Sequence, residues 1–256
     1  MCLILLAYRV HPRYPLILAA NRDEFYQRPT VPAAFWESEP QLLAGRDLKS
    51  GGTWLGITRT GRIAAITNFR DPRSVRDNAP SRGRLVTDFL RSNVSPAEYL
   101  EILRQQSQVY NGFNLIFGGR EKLFVYSNRG NIPPLLPPGI HGLSNHLLDT
   151  PWPKVTLGKK ALAEILAHGK QPAVEDIFAL LADCTLPDDR LLPDTGVGLE
   201  TERLLAPLFI TGPTYGTRSS TLIMIDEKAL VTFSERTYNR MSGQNVTATF
   251  HFTIED

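Results

Sequence analysis

Short apolar runs in closely spaced pairs dominate the chain. Residues 2–9 and 16–21 flank the turn-like stretch His11-Pro12-Arg13-Tyr14-Pro15, and residues 53–59 and 62–68 flank Thr60-Gly61. Residues 113–117 and 123–127 flank Gly118-Gly119-Arg120, and 220–226 and 229–235 flank a short charged turn. A last segment, 246–254, alternates apolar and polar positions. Pairs this close predict hairpins and therefore antiparallel sheets, because parallel neighbours need a long crossover. Helical periodicity comes in two blocks, 83–93 with 96–106, and 153–167 with 173–182. The second of these helices opens on Ser95-Pro96-Ala97-Glu98, with serine at the N-cap and proline at the first helical position. Many strands and two helical pairs predict an α+β fold, a four-layer αββα sandwich of two antiparallel sheets with helices outside. Outer helices also account for strands that are apolar almost throughout.

Composition narrows this picture without redirecting it. The chain has 256 residues, of which 42% are hydrophobic, enough for a sizeable core. We read residues 1–256 as one domain, with 130–138 and 186–198 as surface loops. Net charge is +2 and no basic stripe stands out, which gives nucleic-acid binding no support. No apolar run approaches the ~18 residues of a membrane span. The start lacks the basic and long apolar regions of a secretory signal. Two cysteines make no disulfide framework, so a reducing, cytoplasmic setting is the default. Cys184, near the end of a predicted helix, reads as core filler.

Cys2 is the position that carries chemistry. A small second residue favours removal of the initiator Met1, which would leave a cysteine whose own α-amino group titrates near pH ~8. Nucleophile and general base then share one residue. The thiol needs that help, since its ordinary pKa is about 8.5 and the thiolate is the attacking form. Cysteine also packs as a small hydrophobe, and Cys2 opens an apolar run.

The first hairpin offers Cys2 a partner. With its turn centred between Pro12 and Arg13, Cys2 falls opposite Asp23, in Asn21-Arg22-Asp23-Glu24. Alternation then puts Asn21 and Asp23 on one face and Arg22 and Glu24 on the other. Asp23 could hold the α-ammonium or orient the thiol; such a run is equally a solvated strand end. Asn68, at a strand end, and Asn145 could each donate an amide N–H to an oxyanion or cap a turn. Arg218, at a strand entrance, could bind an anionic substrate group or lie on the surface. The histidines at 11, 141, 146, 168 and 251 show no zinc spacing, and His141 and His146 read as a loop pair. Gly51-Gly52 and Gly118-Gly119 match no phosphate loop.

In chain order these pieces are Cys2, Asn21-Arg22-Asp23-Glu24, Gly51-Gly52-Thr53-Trp54-Leu55-Gly56, Thr67-Asn68-Phe69-Arg70 and Ser81-Arg82-Gly83. Tyr110-Asn111-Gly112-Phe113-Asn114, Gly142-Leu143-Ser144-Asn145 and Leu148-Asp149-Thr150-Pro151-Trp152-Pro153-Lys154 follow. Together they resemble the NRDE family, also called the transport and Golgi organisation protein 2 family. That family is distantly similar to the N-terminal nucleophile hydrolases of the choloylglycine hydrolase and penicillin V acylase group. The resemblance implies an N-terminal nucleophile hydrolase-like fold. It makes Cys2 nucleophile and base, Asp23 its orienter, Asn68 and Asn145 oxyanion donors, and Arg218 a late site arginine. In those acylases an early arginine stands three residues before the aspartate. Here Arg22 is adjacent to Asp23, which leaves Arg22 or Asn21 to fill that space. The implied activity is cofactor-free and metal-free hydrolysis of a non-peptide C–N bond, in an N-acyl amide. The alternative is a non-enzymatic binding or carrier protein for acyl-CoA, lipid or haem-type ligands, because family members are tied to lipid, acyl-CoA or haem homeostasis. A redox or acylation role for an exposed Cys2 is a third reading. A small-molecule or lipid-like ligand is expected in each of the first two, and a fold does not by itself establish a reaction.

Overall fold

The computed structural model describes residues 2–167, 169, 171–239 and 243–255. Strands β1 (Cys2–Tyr8), β2 (Leu16–Phe25), β3 (Thr30–Trp36), β4 (Glu39–Asp47), β5 (Leu55–Thr58) and β6 (Ile63–Asn68) precede helices α1 (Gly83–Arg91) and α2 (Pro96–Gln106). Strands β7 (Phe113–Gly118), β8 (Leu123–Ser127) and β9 (Gly139–Leu143) follow, then helices α3 (Pro153–Leu166), α4 (Val174–Leu181) and α5 (Leu199–Leu205). Strands β10 (Tyr215–Ile225), β11 (Leu230–Tyr238) and β12 (Asn245–Thr253) complete the order.

The chain forms two compact units. The first is discontinuous, drawn from the stretch up to Gln27, from Pro138–Ser144 and from Leu148–Phe252. Its sheet has the order β12-β11-β10-β2-β1-β9, with antiparallel pairing of β1 with β2 and β9, and of β10 with β2 and β11. Leu3, Leu5 and Ala7 of β1 share a core with Ile17 and Ala19 of β2 and Leu222 and Met224 of β10. Val155, Leu162 and Leu166 of α3 and Ile177, Phe178 and Leu181 of α4 close that core from the helix side. The alternate residues Ile4, Leu6, Leu18, Ala20 and Ile223 are buried as well, which is why these strands show no polar face. Helix α3 lies close on the sheet because two glycines permit it. A Cβ on Gly142 would sit 2.7 Å from Val155 Cγ1, and one on Gly158 would sit 2.9 Å from both Leu5 methyl carbons. Past its end, a Cβ on Gly169 would sit 3.7 Å from Pro12 in the first turn. Helix α3 therefore runs along β1 from the Cys2 end towards that turn.

The second unit comprises Arg28–Pro137, Asn145–Leu147 and the segment from Thr253 onward. Its sheet has the order β3-β4-β5-β6-β7-β8, and α1 and α2 pack on it through Leu85, Phe89, Tyr99 and Leu103 against Ile66, Leu115 and Phe117. Helix α2 starts as expected: the Ser95 hydroxyl accepts from the Glu98 N–H, and the Glu98 carboxylate accepts from the Ser95 N–H.

The α+β class and the two antiparallel sheets agree with expectation. Four differences have local causes. β2 does not stop at Asn21 but runs on to Phe25, so Asn21-Arg22-Asp23-Glu24 is wholly strand. β3, β4 and β9 carry Pro32, Pro40, Gly45, Gly139 and Gly142, residues that mask a strand pattern. Helix α5 is too short for its periodicity to stand out. Cys184 is exposed rather than core filler, because α4 ends at Leu181 and Cys184 falls beyond it. Among the described residues no helix is long and apolar enough to cross a membrane.

Candidate functional site

The first hairpin sets the geometry around Cys2. Its register runs from Tyr8 opposite Leu16 to Cys2 opposite Arg22. The turn spans the residues between Tyr8 and Leu16, closed by the Arg9 N–H donating to the Pro15 carbonyl at 2.8 Å. It is therefore centred on Pro12 rather than between Pro12 and Arg13, and the expected pairing of Cys2 with Asp23 is off by one. Opposed residues of an antiparallel pair share a face. Cys2 and Arg22 thus lie on one face, Asn21 and Asp23 on the other. Asp23 still touches Cys2, since its backbone N–H donates to the Cys2 sulfur. Cys2 is only half-buried as a residue, yet its thiol is enclosed enough for desolvation to push it up; Asp23 adds to the rise, and Arg22 opposes it. The resting thiol at neutral pH is therefore protonated, and a nucleophilic role would require a base. Met1, whose removal would supply that base, lies outside the described residues.

Asn21 is engaged in holding the unit together. Its amide donates to the carbonyls of Leu181 and Leu208, both at 2.8 Å, and its oxygen accepts from the Ser220 hydroxyl at 2.5 Å. These bonds tie the end of α4 and the segment before β10 to β2.

Asp23 is almost fully buried. Its carboxylate accepts from the Thr217 hydroxyl at 2.7 Å, and its carbonyl accepts from the Tyr215 hydroxyl at 2.9 Å. Burial pushes the Asp23 carboxyl up, and Lys154, the Thr217 hydrogen bond and Arg22 pull against that rise. Arg218 is not at a strand entrance but inside β10, at a bulge between Thr217 and Ser219, where its guanidinium donates to the Phe25 carbonyl at 2.9 Å. A bulge re-aims the side chain it carries. Thr217 and Lys154 were not singled out in the sequence. Lys154 ends the Leu148-to-Lys154 motif and Thr217 directly precedes Arg218, but neither residue type announces a role there.

Asn68 and Asn145 belong to the second unit and are bonded to each other. The Asn145 amide donates to the Asn68 carbonyl at 2.9 Å, and the Asn145 carbonyl accepts from the Arg70 N–H at 2.7 Å. Asn114 donates to the His146 carbonyl at 2.9 Å and to the Thr67 hydroxyl at 3.1 Å. The segment Asn145–Leu147 is thereby pinned to the ends of β6 and β7.

His141 and His146 are not a loop pair. His146 stacks near Phe69, with 4.9 Å between ring centroids, whereas His141 lies on β9. The His141 ring meets Asp149 at 2.7 Å, and the other Asp149 oxygen accepts from the Gly142 N–H at 2.9 Å and from Lys159 at 2.5 Å. Burial pushes the Asp149 carboxyl up, but bonds to His141, Lys159 and Gly142 outweigh it and hold the group at about 2. A carboxyl depressed in the folded state stabilises above its unfolded pKa, ordinarily near 3.8. That contribution, about 2 kcal/mol, is lost as pH falls from 4 through 2. Asp149→Asn keeps a residue tolerant of the positive φ of 57° found here. Urea midpoints measured from pH 6 to 2 should fall less steeply for Asp149→Asn than for wild type; parallel curves would contradict the assignment. Among the described residues no group of three or more His, Cys, Asp or Glu side chains is placed to hold a metal ion, and His168 lies outside them.

With the hairpin, the Asn145 segment and the Asp149 cluster in place, relatives can be compared. The family model for transport and Golgi organisation 2 matches residues 1–240. The chain belongs to that family. The transport and Golgi organization protein 2 homolog of Bos taurus is 41% identical over 256 residues, covering 92% of this chain and 92% of the relative. The Homo sapiens homolog is 37% identical over 276 residues, with full coverage of both chains. Among solved structures, the Caenorhabditis elegans N-acylethanolamine-hydrolyzing acid amidase ortholog superposes with a TM-score of 0.50 at 11% identity. It covers 87% of this chain and 92% of its own. This family member thus has the fold of the N-terminal nucleophile hydrolases.

Proposed function

We propose that the protein is an N-terminal cysteine amidohydrolase that cleaves the non-peptide C–N bond of an N-acyl amide without cofactor or metal. The observation that supports this most is the placement of Cys2 at the start of β1, opposite buried Arg22 and bonded to the backbone of buried Asp23. After loss of Met1, the α-amino group takes the thiol proton and the sulfur attacks the amide carbonyl. Asn68 and Asn145 are the proposed oxyanion donors, and Arg218 the proposed contact for a polar substrate group. Collapse of the tetrahedral intermediate passes the proton to the leaving amine and leaves a thioester on Cys2. Water then releases the acid and regenerates the thiol. The name of the amidase neighbour suggests a lipid-like acyl group as the first to try.

The test is intact mass spectrometry of protein quenched during incubation with N-acyl amides of graded acyl length. The expected species are a chain lacking Met1 and the same chain plus one acyl group. A protein that keeps Met1 and cleaves none of the amides, while binding acyl-CoA, lipid or haem, would instead be the carrier.

A further inference from the structure

Lys154 is 2% exposed, one of the largest fully buried side chains, and it has no part in the chemistry above. A buried ammonium is costly unless an opposite charge accompanies it. Helix α3 fixes where this one lies. Residues four apart share a helix face, so Lys154 projects from the same face as Gly158, which packs on Leu5. Since α3 runs from the Cys2 end towards Pro12, Lys154 sits one turn, about 6 Å, nearer that end than Gly158. That is the level of Leu3 and Asn21, which are paired, on the sheet face that carries Asp23. Asp23 is 1% exposed, and Lys154 is the strongest of the charges drawing its carboxyl down. The charged side chains that act on the Cys2 thiol, on the other face, are Asp23 and Arg22.

We propose that Lys154 is a positioning residue that keeps Asp23 a carboxylate behind Cys2. This rests on the reading that Cys2 is the reactive group and adds a third member to it, acting through Asp23. The groups facing Asp23 among the described residues are Lys154 from α3, Thr217 and Tyr215 from β10, Arg22 beside it on β2, and Cys2. Without Lys154, the strongest charge drawing the Asp23 carboxyl down is gone, and burial pushes that carboxyl further up. A neutral Asp23 no longer raises the Cys2 thiol, so the thiol titrates at lower pH.

The readout is the rate of Cys2 alkylation by iodoacetamide between pH 6 and 10, followed by peptide mass spectrometry with exposed Cys184 as the internal control. Lys154→Met should move the Cys2 midpoint down by on the order of one pH unit. Asp23→Asn should do the same, the double variant should coincide with either, and Lys154→Arg should stay at the wild-type midpoint. A folded Lys154→Met protein with the wild-type midpoint, or shifts that add in the double variant, would overturn the proposal. If Lys154→Met alone does not fold, Asp23→Asn/Lys154→Met, which leaves neither charge, is compared with Asp23→Asn. Coincidence supports the coupling and a further shift overturns it. Wild type that cleaves no amide while this pattern holds would sink the hydrolase and leave the Lys154–Asp23 coupling standing.

Discussion

Cys2→Ala protein should fold as wild type does and lose amide hydrolysis by about 10⁴-fold or more. The substitution deletes one sulfur atom at a half-buried strand end, which should cost within about 1 kcal/mol. The loss is therefore chemical. In the wild type, burial and Asp23 both push the thiol up, so at neutral pH the sulfur carries its proton and waits for a base. An α-amino group that titrates near ~8 makes the rate climb between pH 6 and 8 as that amine loses its own proton. Amine release from an N-acyl amide, followed across that range in both proteins, checks both statements. Turnover that survives in Cys2→Ala would remove the sulfur from the mechanism.

Asn21→Ala should do the reverse and act on stability. Both amide hydrogens of Asn21 end on carbonyl oxygens inside the first unit, and its oxygen accepts from Ser220. Alanine leaves the Leu181 and Leu208 carbonyls without these donors, at about 1–3 kcal/mol for each. Ser220 retains its contact with the Tyr238 hydroxyl at 2.9 Å, so its loss is smaller. A total of about 4 kcal/mol corresponds to a melting temperature lower by about 10 °C. Thermal unfolding followed by circular dichroism measures it. An Asn21→Ala protein that melts with wild type but hydrolyses more slowly would make Asn21 a substrate contact instead of a tie.

What could be read from the sequence follows how local each determinant is. β7 with β8 and the start of α2 are legible, because a glycine-containing turn and a capping box lie within a few residues of what they organise. The place of Cys2 is legible too, since the apolar run it opens is strand β1. The neighbour of Cys2 is not, because a seven-residue turn centred on a residue and one centred on a bond differ by a single step, and one step exchanges Arg22 for Asp23. Asn21 is harder still. Its partners are backbone carbonyls far along the chain, and a carbonyl has no side chain to signal it. Lys154 is hidden for a related reason: a lysine two residues into a helix looks like a solvated charge until the glycines that let α3 descend onto the sheet are seen to bury it.

The discontinuity of the first unit bears on how the protein is made. β1 is an interior strand whose second neighbour, through the pairing of Ile4 with Leu143, is β9. On a ribosome adding roughly 5–20 residues per second, β9 emerges about seven to thirty seconds after β1. β10, which completes the other side of β2, comes later still. Throughout that interval β1 lacks one of its two neighbouring strands, so its end stays open to solvent and to processing enzymes until the sheet is complete.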